Sequence, residues 1–237
     1  MSWSWEGILR ALTMLSSGDS TLIEITLLSL RVTGAALFIA TLIGIPIGAF
    51  IGLRSFPGKR AAVALIYTGF GLPPVIAGLF TYVLLSRGSS VPTFIQNILP
   101  SLFTPGAMIF AQVIISTPII AGFTMTAVLS IDRQLALQLR SLGATPAQTA
   151  VTILSEARNG VIAAVIAGFG SIISEVGAVM MVGGNIAHRT RVLTSAIVLE
   201  TSKGNFELAM ALGFILISIT FLASALVILL QGRSRTA

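Results

Sequence analysis

Few side chains in this sequence could do chemistry, and most of those lie in apolar surroundings. Arg31 and Glu175 interrupt stretches that are otherwise apolar, where an ionisable group costs at least about 2.5–3.5 kcal/mol. Counted at 1.5 Å per helical residue, each lies roughly 12–14 Å in from the end of its stretch. Three roles are open to them: an ion pair with each other, a direct role at a gate or solute pathway, or snorkelling towards a polar surface. Ser116, Thr117, Ser171 and Ser174 add hydroxyl groups in similar settings. Hydroxyl donors suit the passage of an anion better than fixed positive charge, because tight binding halts transport. They serve equally well as donors to their own helix backbone.

Catalytic constellations are missing. The chain has no cysteine and one histidine, which removes thiolate metal sites, a Cys nucleophile and disulfides. His188 has no Asp or Glu at metal-ligand spacing, and no third group that would orient it for a Ser/His hydrolase. Gly58–Lys59 follows a turn, but Arg60 stands where a phosphate loop requires Ser or Thr, and the glycine spacing differs. No enzyme activity, metal or cofactor is therefore expected in this chain.

The elements that position these residues are set by composition. Hydrophobic residues make up 55% of the 237 residues and charged ones 9%, against about 25% charged in soluble domains. With a mean hydropathy of +0.99 and apolar blocks of about 20 residues or more, the solvent is lipid. The net charge of +6 then reflects Lys and Arg at span ends rather than nucleic acid. The expected fold class is all-α, a polytopic membrane bundle of about five transmembrane helices.

Residues 1–20 carry Trp3, Trp5, Ile8, Leu9, Leu12 and Leu15 at helical spacing and read as an interfacial amphipathic helix, with no cleaved leader. A membrane domain, 21–231, follows. Its first span, about 22–53, places Ala36, Ala40, Gly44, Gly48 and Gly52 on one face, a stripe for close helix packing; Pro46 should bend it. The second, about 60–85, should break near Gly69, Gly71, Pro73 and Pro74. The third is about 106–129, the fourth about 160–182 and the fifth about 206–230. Residues 86–105 read as a loop and 183–205 as a linker. Ala164, Gly168, Ser171, Glu175 and Ala178 would share one face of the fourth span. Residues 232–237 form a tail. Arg54, Lys59, Arg60, Arg133, Arg140, Arg158, Arg233 and Arg235 fall on one side, which makes that side cytoplasmic, with the N-terminus outside and the C-terminus inside.

The longest polar stretch, 132–158, is the most informative. Gln134 to Leu142 has helical composition, and Gly143 stands where a left-handed residue ends a helix. Thr145 then reads as an N-cap, Pro146 as the first helical residue and Gln148 as the partner in a capping box. The result is a helix–turn–helix hairpin. Flanked at once by two spans, it has little reach for a DNA groove and fits docking onto a peripheral partner.

"RSLGATPAQTAVTILSE" resembles the cytoplasmic coupling segment of ABC importer permeases, whose consensus is Glu-Ala-Ala, three residues, Gly, nine residues, Ile, one residue, Leu-Pro. Gly143 and Ile153 match the Gly and Ile. Leu137, Gln138 and Leu139 replace Glu-Ala-Ala, and Ser155 and Glu156 replace Leu-Pro. "GLPPVIAG" and "ISEVGAVMMVGGNI" are similar to the molybdate, tungstate and sulfate branch, and "HRTRVLTSAIVLETSKGNFELA" looks most like the tungstate permeases. The resemblance implies a type I importer fold, a homodimer, and a prokaryotic inner-membrane location. It further implies a cytoplasmic ATPase dimer that holds ATP and Mg, and an extracytoplasmic substrate-binding protein. The coupling contacts it implies are Gln138, Leu139, Arg140, Ser141, Leu142, Gly143, Ala144, Thr145 and Pro146. The implied function is an oxyanion importer permease, tungstate first; the alternatives are a molybdate or sulfate permease of the same architecture and, behind it, a stand-alone secondary transporter, which would have no use for the hairpin and usually carries more spans with inverted repeats.

Overall fold

A computed structural model describes residue 13, residues 19–86, residue 92 and residues 98–232. The expected interfacial helix and the tail beyond residue 232 lie outside the described residues, apart from residues 13, 19 and 20. Among the described residues all regular structure is helical. The helices are α1 (Ser20–Leu53), α2 (Lys59–Phe70), α3 (Pro74–Leu85), α4 (Pro105–Leu129) and α5 (Arg133–Ser141). They continue with α6 (Pro146–Glu156), α7 (Arg158–Ile173), α8 (Gly177–Gly183), α9 (Leu193–Ser202) and α10 (Phe206–Gly232). By length and composition α1, α4 and α10 are each a candidate span, and there are up to five if the bent pairs α2–α3 and α6–α7 each count as one.

The chain divides into two compact units, each discontinuous in sequence. One comprises Leu37–Leu72, Val113–Ile172 and Ala225–Ala237. Here the glycine stripe of α1 meets α4, as its spacing predicts. A Cβ on Gly44 would stand 2.9 Å from Ile120, and one on Gly52 2.8 Å from Val128. At Gly48 it would fall 2.2 Å from the backbone oxygen of Ala121. Only a hydrogen at these positions lets the two helices approach so closely, and the approach replaces lipid contacts with dispersion between backbones. Ala40, Ile120 and Ala164 then close a buried cluster that includes α7, with Gly168 also against Ile120. Pro46 and Pro118 lie inside α1 and α4, and both helices run on through them.

The second unit comprises Met1–Ala36, Pro73–Gln112 and Ile173–Ser224. Leu22 and Ile25 of α1, Leu193 and Ala196 of α9, and Ala211 and Leu212 of α10 form its buried cluster. A Cβ on Gly78 of α3 would lie 2.6 Å from the Cα of Ala178 in α8, so these two helices touch along their backbones. Large apolar side chains outside the cores, such as Leu27, Phe38, Leu42, Ile217 and Phe221, are exposed; a bilayer is the solvent that such a surface requires.

Two expectations change. The fourth span is not one helix over 160–182: α7 ends at Ile173 and α8 begins at Gly177. The five-residue face through Ala164 and Ala178 is therefore split, with Glu175 in the break. The break is held by one local and one distant hydrogen bond. The Glu175 carboxylate accepts from Ala178 N–H at 2.8 Å, and its backbone oxygen accepts from the Thr194 hydroxyl at 2.9 Å. The linker at 183–205 is likewise folded, because α9 lies in its middle with Leu193, Thr194, Ser195, Ala196 and Glu200 buried. The first N–H of α9, from Leu193, donates 2.7 Å to the Ser29 hydroxyl of α1, so the orphan donor of a helix start is satisfied from a distant element.

Candidate functional site

The hairpin is built as its sequence dictates. Asp132 opens α5 by accepting from Gln134 N–H at 2.9 Å, an N-cap that the compositional reading placed inside the polar stretch without assigning it. At the other end Gly143 has φ +86°. Ala144 N–H donates to Leu139 O and Gly143 N–H to Arg140 O, each at 3.0 Å, the paired bonds of a Schellman ending. Thr145 then caps α6: its N–H donates 2.8 Å to Gln148 Oε1, and its hydroxyl accepts from Gln148 N–H at 3.3 Å. Pro146 occupies the first turn, where its missing N–H costs nothing.

The two ends of the hairpin differ in burial. At the tip Gln138, Arg140, Ser141, Leu142, Gly143, Thr145 and Pro146 are exposed and Leu139 and Ala144 half-buried. Leu142 is 85% exposed, Leu137 66% and Val151 67%, a run of apolar side chains presented outward. At the base Ile153 is 3% exposed and packs with Val128 of α4 and Ala157, against Leu53, Ala127 and Ala136. Ile153 thus ties the hairpin into the membrane helices while Gly143 shapes its tip. These are the two matched positions of the coupling consensus. The unmatched ones, Leu137 and Gln138 in particular, lie on the exposed side. Beyond the base, α7 leaves α6 at an angle of 73°.

The candidate pathway residues are dispersed. Ser116 is fully buried, and the Thr117 hydroxyl donates 2.7 Å to Val113 O, a bond within its own helix. Ser171 is half-buried, whereas Ser174 is exposed. Arg31 is exposed and Glu175 is 7% exposed; no Arg31–Glu175 ion pair forms, and the Glu175 carboxylate is engaged by the start of α8. Arg31 therefore belongs to an open face. The sequence also left two polar clusters unread. His188, with φ +59°, sets its Nδ1 2.7 Å from Glu24 Oε2 of α1. Glu200 accepts from Lys203 Nζ at 2.9 Å and Asn205 Nδ2 at 3.1 Å. The Lys203 hydrogen bond, ahead of the one from Asn205 and the charges of Lys203 and Arg191, holds the Glu200 carboxyl below its ordinary value. The spacing of Glu200, Lys203 and Asn205 carries this signal once α9 is known to be a helix. Among the described residues no group of three or more His, Cys, Asp or Glu could hold a metal.

Residues 44–236 match the family described as binding-protein-dependent transport system inner membrane component. The chain belongs to that family. This inner membrane component is 38% identical to a probable anion ABC transporter permease protein of Haloferax volcanii, over 90% of this chain and 93% of that one. It is 35% identical to the tungstate uptake system permease protein TupB of Peptoclostridium acidaminophilum, over 98% of this chain and 99% of that one. The fold is also that of a chain from an inward-facing MetNI methionine ABC transporter, with a TM-score of 0.70 at 21% identity over 87% of this chain. As in such a component, the helices are those of a multi-pass membrane protein.

Proposed function

We propose that this inner membrane component is the permease of an ATP-driven oxyanion importer, and that its substrate is tungstate. Molybdate and sulfate are tetrahedral dianions of the same kind, and two relatives named for tungstate alone align over 98% and 93% of the chain, against 82% and 74% for relatives named for molybdenum and for sulfate transport. The hairpin carries the mechanism. An exposed tip carrying Leu142, on a base buried among α1 and α4, is a lever between a peripheral partner and the membrane helices.

In this mechanism two copies of the chain stand on two copies of a cytoplasmic ATPase, which hold the ATP and Mg. Residues 138–146 sit on the ATPase, and closure of the ATPase pair moves Ile153 and with it α4 and α1. An extracytoplasmic binding protein delivers the anion to the opposite side. Residues 1–20 lie along the interface, 21–231 form the transport domain and 232–237 the cytoplasmic tail, with the N-terminus outside. The path relies on neutral donors, with Ser116, Thr117, Ser171 and Ser174 as its candidates; Arg31 and Glu175 act at its gate.

The test is ATP hydrolysis by the reconstituted permease–ATPase complex in proteoliposomes. Stimulation by tungstate-loaded binding protein is expected, exceeding that by sulfate-loaded protein. Hydrolysis indifferent to every loaded binding protein, or no stable ATPase complex, would return the chain to the stand-alone transporters.

A further inference from the structure

Between the second half of α1 and the hairpin lies a groove of about 650 Å³, within the size range of small-ligand sites. Ala49, Phe50 and Leu53 line it from α1, and Ala150, Ile153 and Leu154 from α6. Arg54, just past the end of α1, and Arg140, in the last turn of α5, complete the lining together with further small and apolar residues, and none of the lining residues is acidic. Both arginines are exposed, and neither guanidinium has a hydrogen-bond or ion-pair partner among the described residues.

An apolar wall that ends in two unpaired guanidinium groups has the polarity of one phospholipid, acyl chain and charged headgroup. Guanidinium groups hold phosphate through paired hydrogen bonds, and basic pockets on the cytoplasmic side of membrane proteins take anionic headgroups. A free anion would gain from the arginines but nothing from Phe50 or Ile153. We propose that this groove binds one anionic phospholipid, its phosphate held by Arg54 and Arg140 and an acyl chain laid along α1. The proposal takes from the previous section that the hairpin end faces the cytoplasmic leaflet, and it gives the Arg140 side chain, which lines the groove, to the lipid rather than to the ATPase. A lipid seated there touches both α1 and α6, and so braces the base of the hairpin against the membrane.

The experiment is native mass spectrometry of the full chain in complex with its ATPase, exchanged into detergent with phosphatidylglycerol or phosphatidylcholine. One phosphatidylglycerol per permease chain is expected to remain bound, with phosphatidylcholine released. R54Q/R140Q should weaken retention about thirtyfold, from about fivefold per basic residue at an anionic surface. R54K/R140K should keep most of it. A147W, which leaves both arginines and fills the groove from its rim, should also expel the lipid. Four results overturn the proposal: equal retention of both lipids, retention unchanged by R54Q/R140Q, displacement by inorganic phosphate alone, or A147W releasing the ATPase or second copy while lipid stays. Lipid retention is read by mass and does not depend on transport, so this failure is distinct from failure of the importer assay.

Discussion

At Gly143 the backbone conformation can be tested apart from packing. Its φ is +86° and nothing lies within 4 Å of where a Cβ would stand, so a larger residue meets no neighbour and the whole cost is conformational. For a β-branched residue that cost is about 1–3 kcal/mol, and it falls on the Schellman turn alone. G143V should insert and assemble normally yet lose at least about tenfold in binding-protein-stimulated ATP hydrolysis, whereas G143N, which tolerates the left-handed region, should keep most of it. Normal coupling in G143V would remove the turn from the transmission path. Glu175 poses a question of charge against hydrogen bonding. Its carboxylate accepts from Ala178 N–H. E175Q keeps a carbonyl acceptor and should melt within about 1 kcal/mol of the parent, while E175A strands a buried N–H and should cost about 1–3 kcal/mol. Thermal melting in detergent separates them; equal losses in both variants would mean that the negative charge itself is what the fold requires.

At the scale of elements, what the sequence made legible is what local chemistry controls. The α5–α6 turn follows from Gly143, Thr145, Pro146 and Gln148, which are neighbours in sequence, and the break between α2 and α3 follows from Gly71, Pro73 and Pro74. The α1 stripe was readable because a small residue at every fourth position has one geometric meaning. Its test is a contrast. G48A drives a Cβ to 2.2 Å from Ala121 O, and backbone has to move, at about 1–3 kcal/mol. G34A, on the same helix with nothing within 4 Å, should be neutral or stabilise by up to about 1 kcal/mol. Equal melting shifts would mean that α1 and α4 do not approach through glycine. The break at 174–176 and the helix α9 were not readable, because Thr194 and Ser29 supply the decisive hydrogen bonds from far along the chain. A stretch such as 193–202 looks like a linker until Thr194, Ser195 and Glu200 are seen to be buried. Once α9 is folded, Glu200 gives it a pH dependence. Its carboxyl is held below the ordinary 4.5 by Lys203 first, so between the folded and unfolded values the unfolded chain binds more protons. This contribution is full above about pH 4.5 and is lost as pH falls through the lower, folded value. Melting temperature should therefore fall on acidification more steeply in the parent than in E200Q; identical profiles would show that the Glu200 cluster adds nothing.

For the whole molecule, the apolar surface on α1 and α10 makes lipid the solvent, and the sides of the membrane are a matter for prediction. The proposed orientation puts the hairpin on the inner side and the 184–191 segment on the outer one, which requires the chain to cross the bilayer an odd number of times between them. That requirement bears hardest on α7, because the fourth span is shorter and more broken than its sequence suggests: 16 residues, then the Glu175 break, then the 7 residues of α8. At 1.5 Å per residue α7 alone reaches about 24 Å, short of a hydrocarbon core of about 30 Å, and α8 has to complete the crossing. The chain contains no cysteine, so single cysteines report cleanly. Leu142 is 85% exposed, and the His188 side chain is 78% exposed, its pair with Glu24 being worth about 0–1 kcal/mol at the surface. In membranes stripped of peripheral subunits, an impermeant maleimide should label H188C in right-side-out vesicles and L142C only in inverted ones. The reverse pattern would keep the crossing and invert the orientation. Labelling of both from one side would mean that α7 and α8 do not cross, and the lever between ATPase and binding protein would lose its connection.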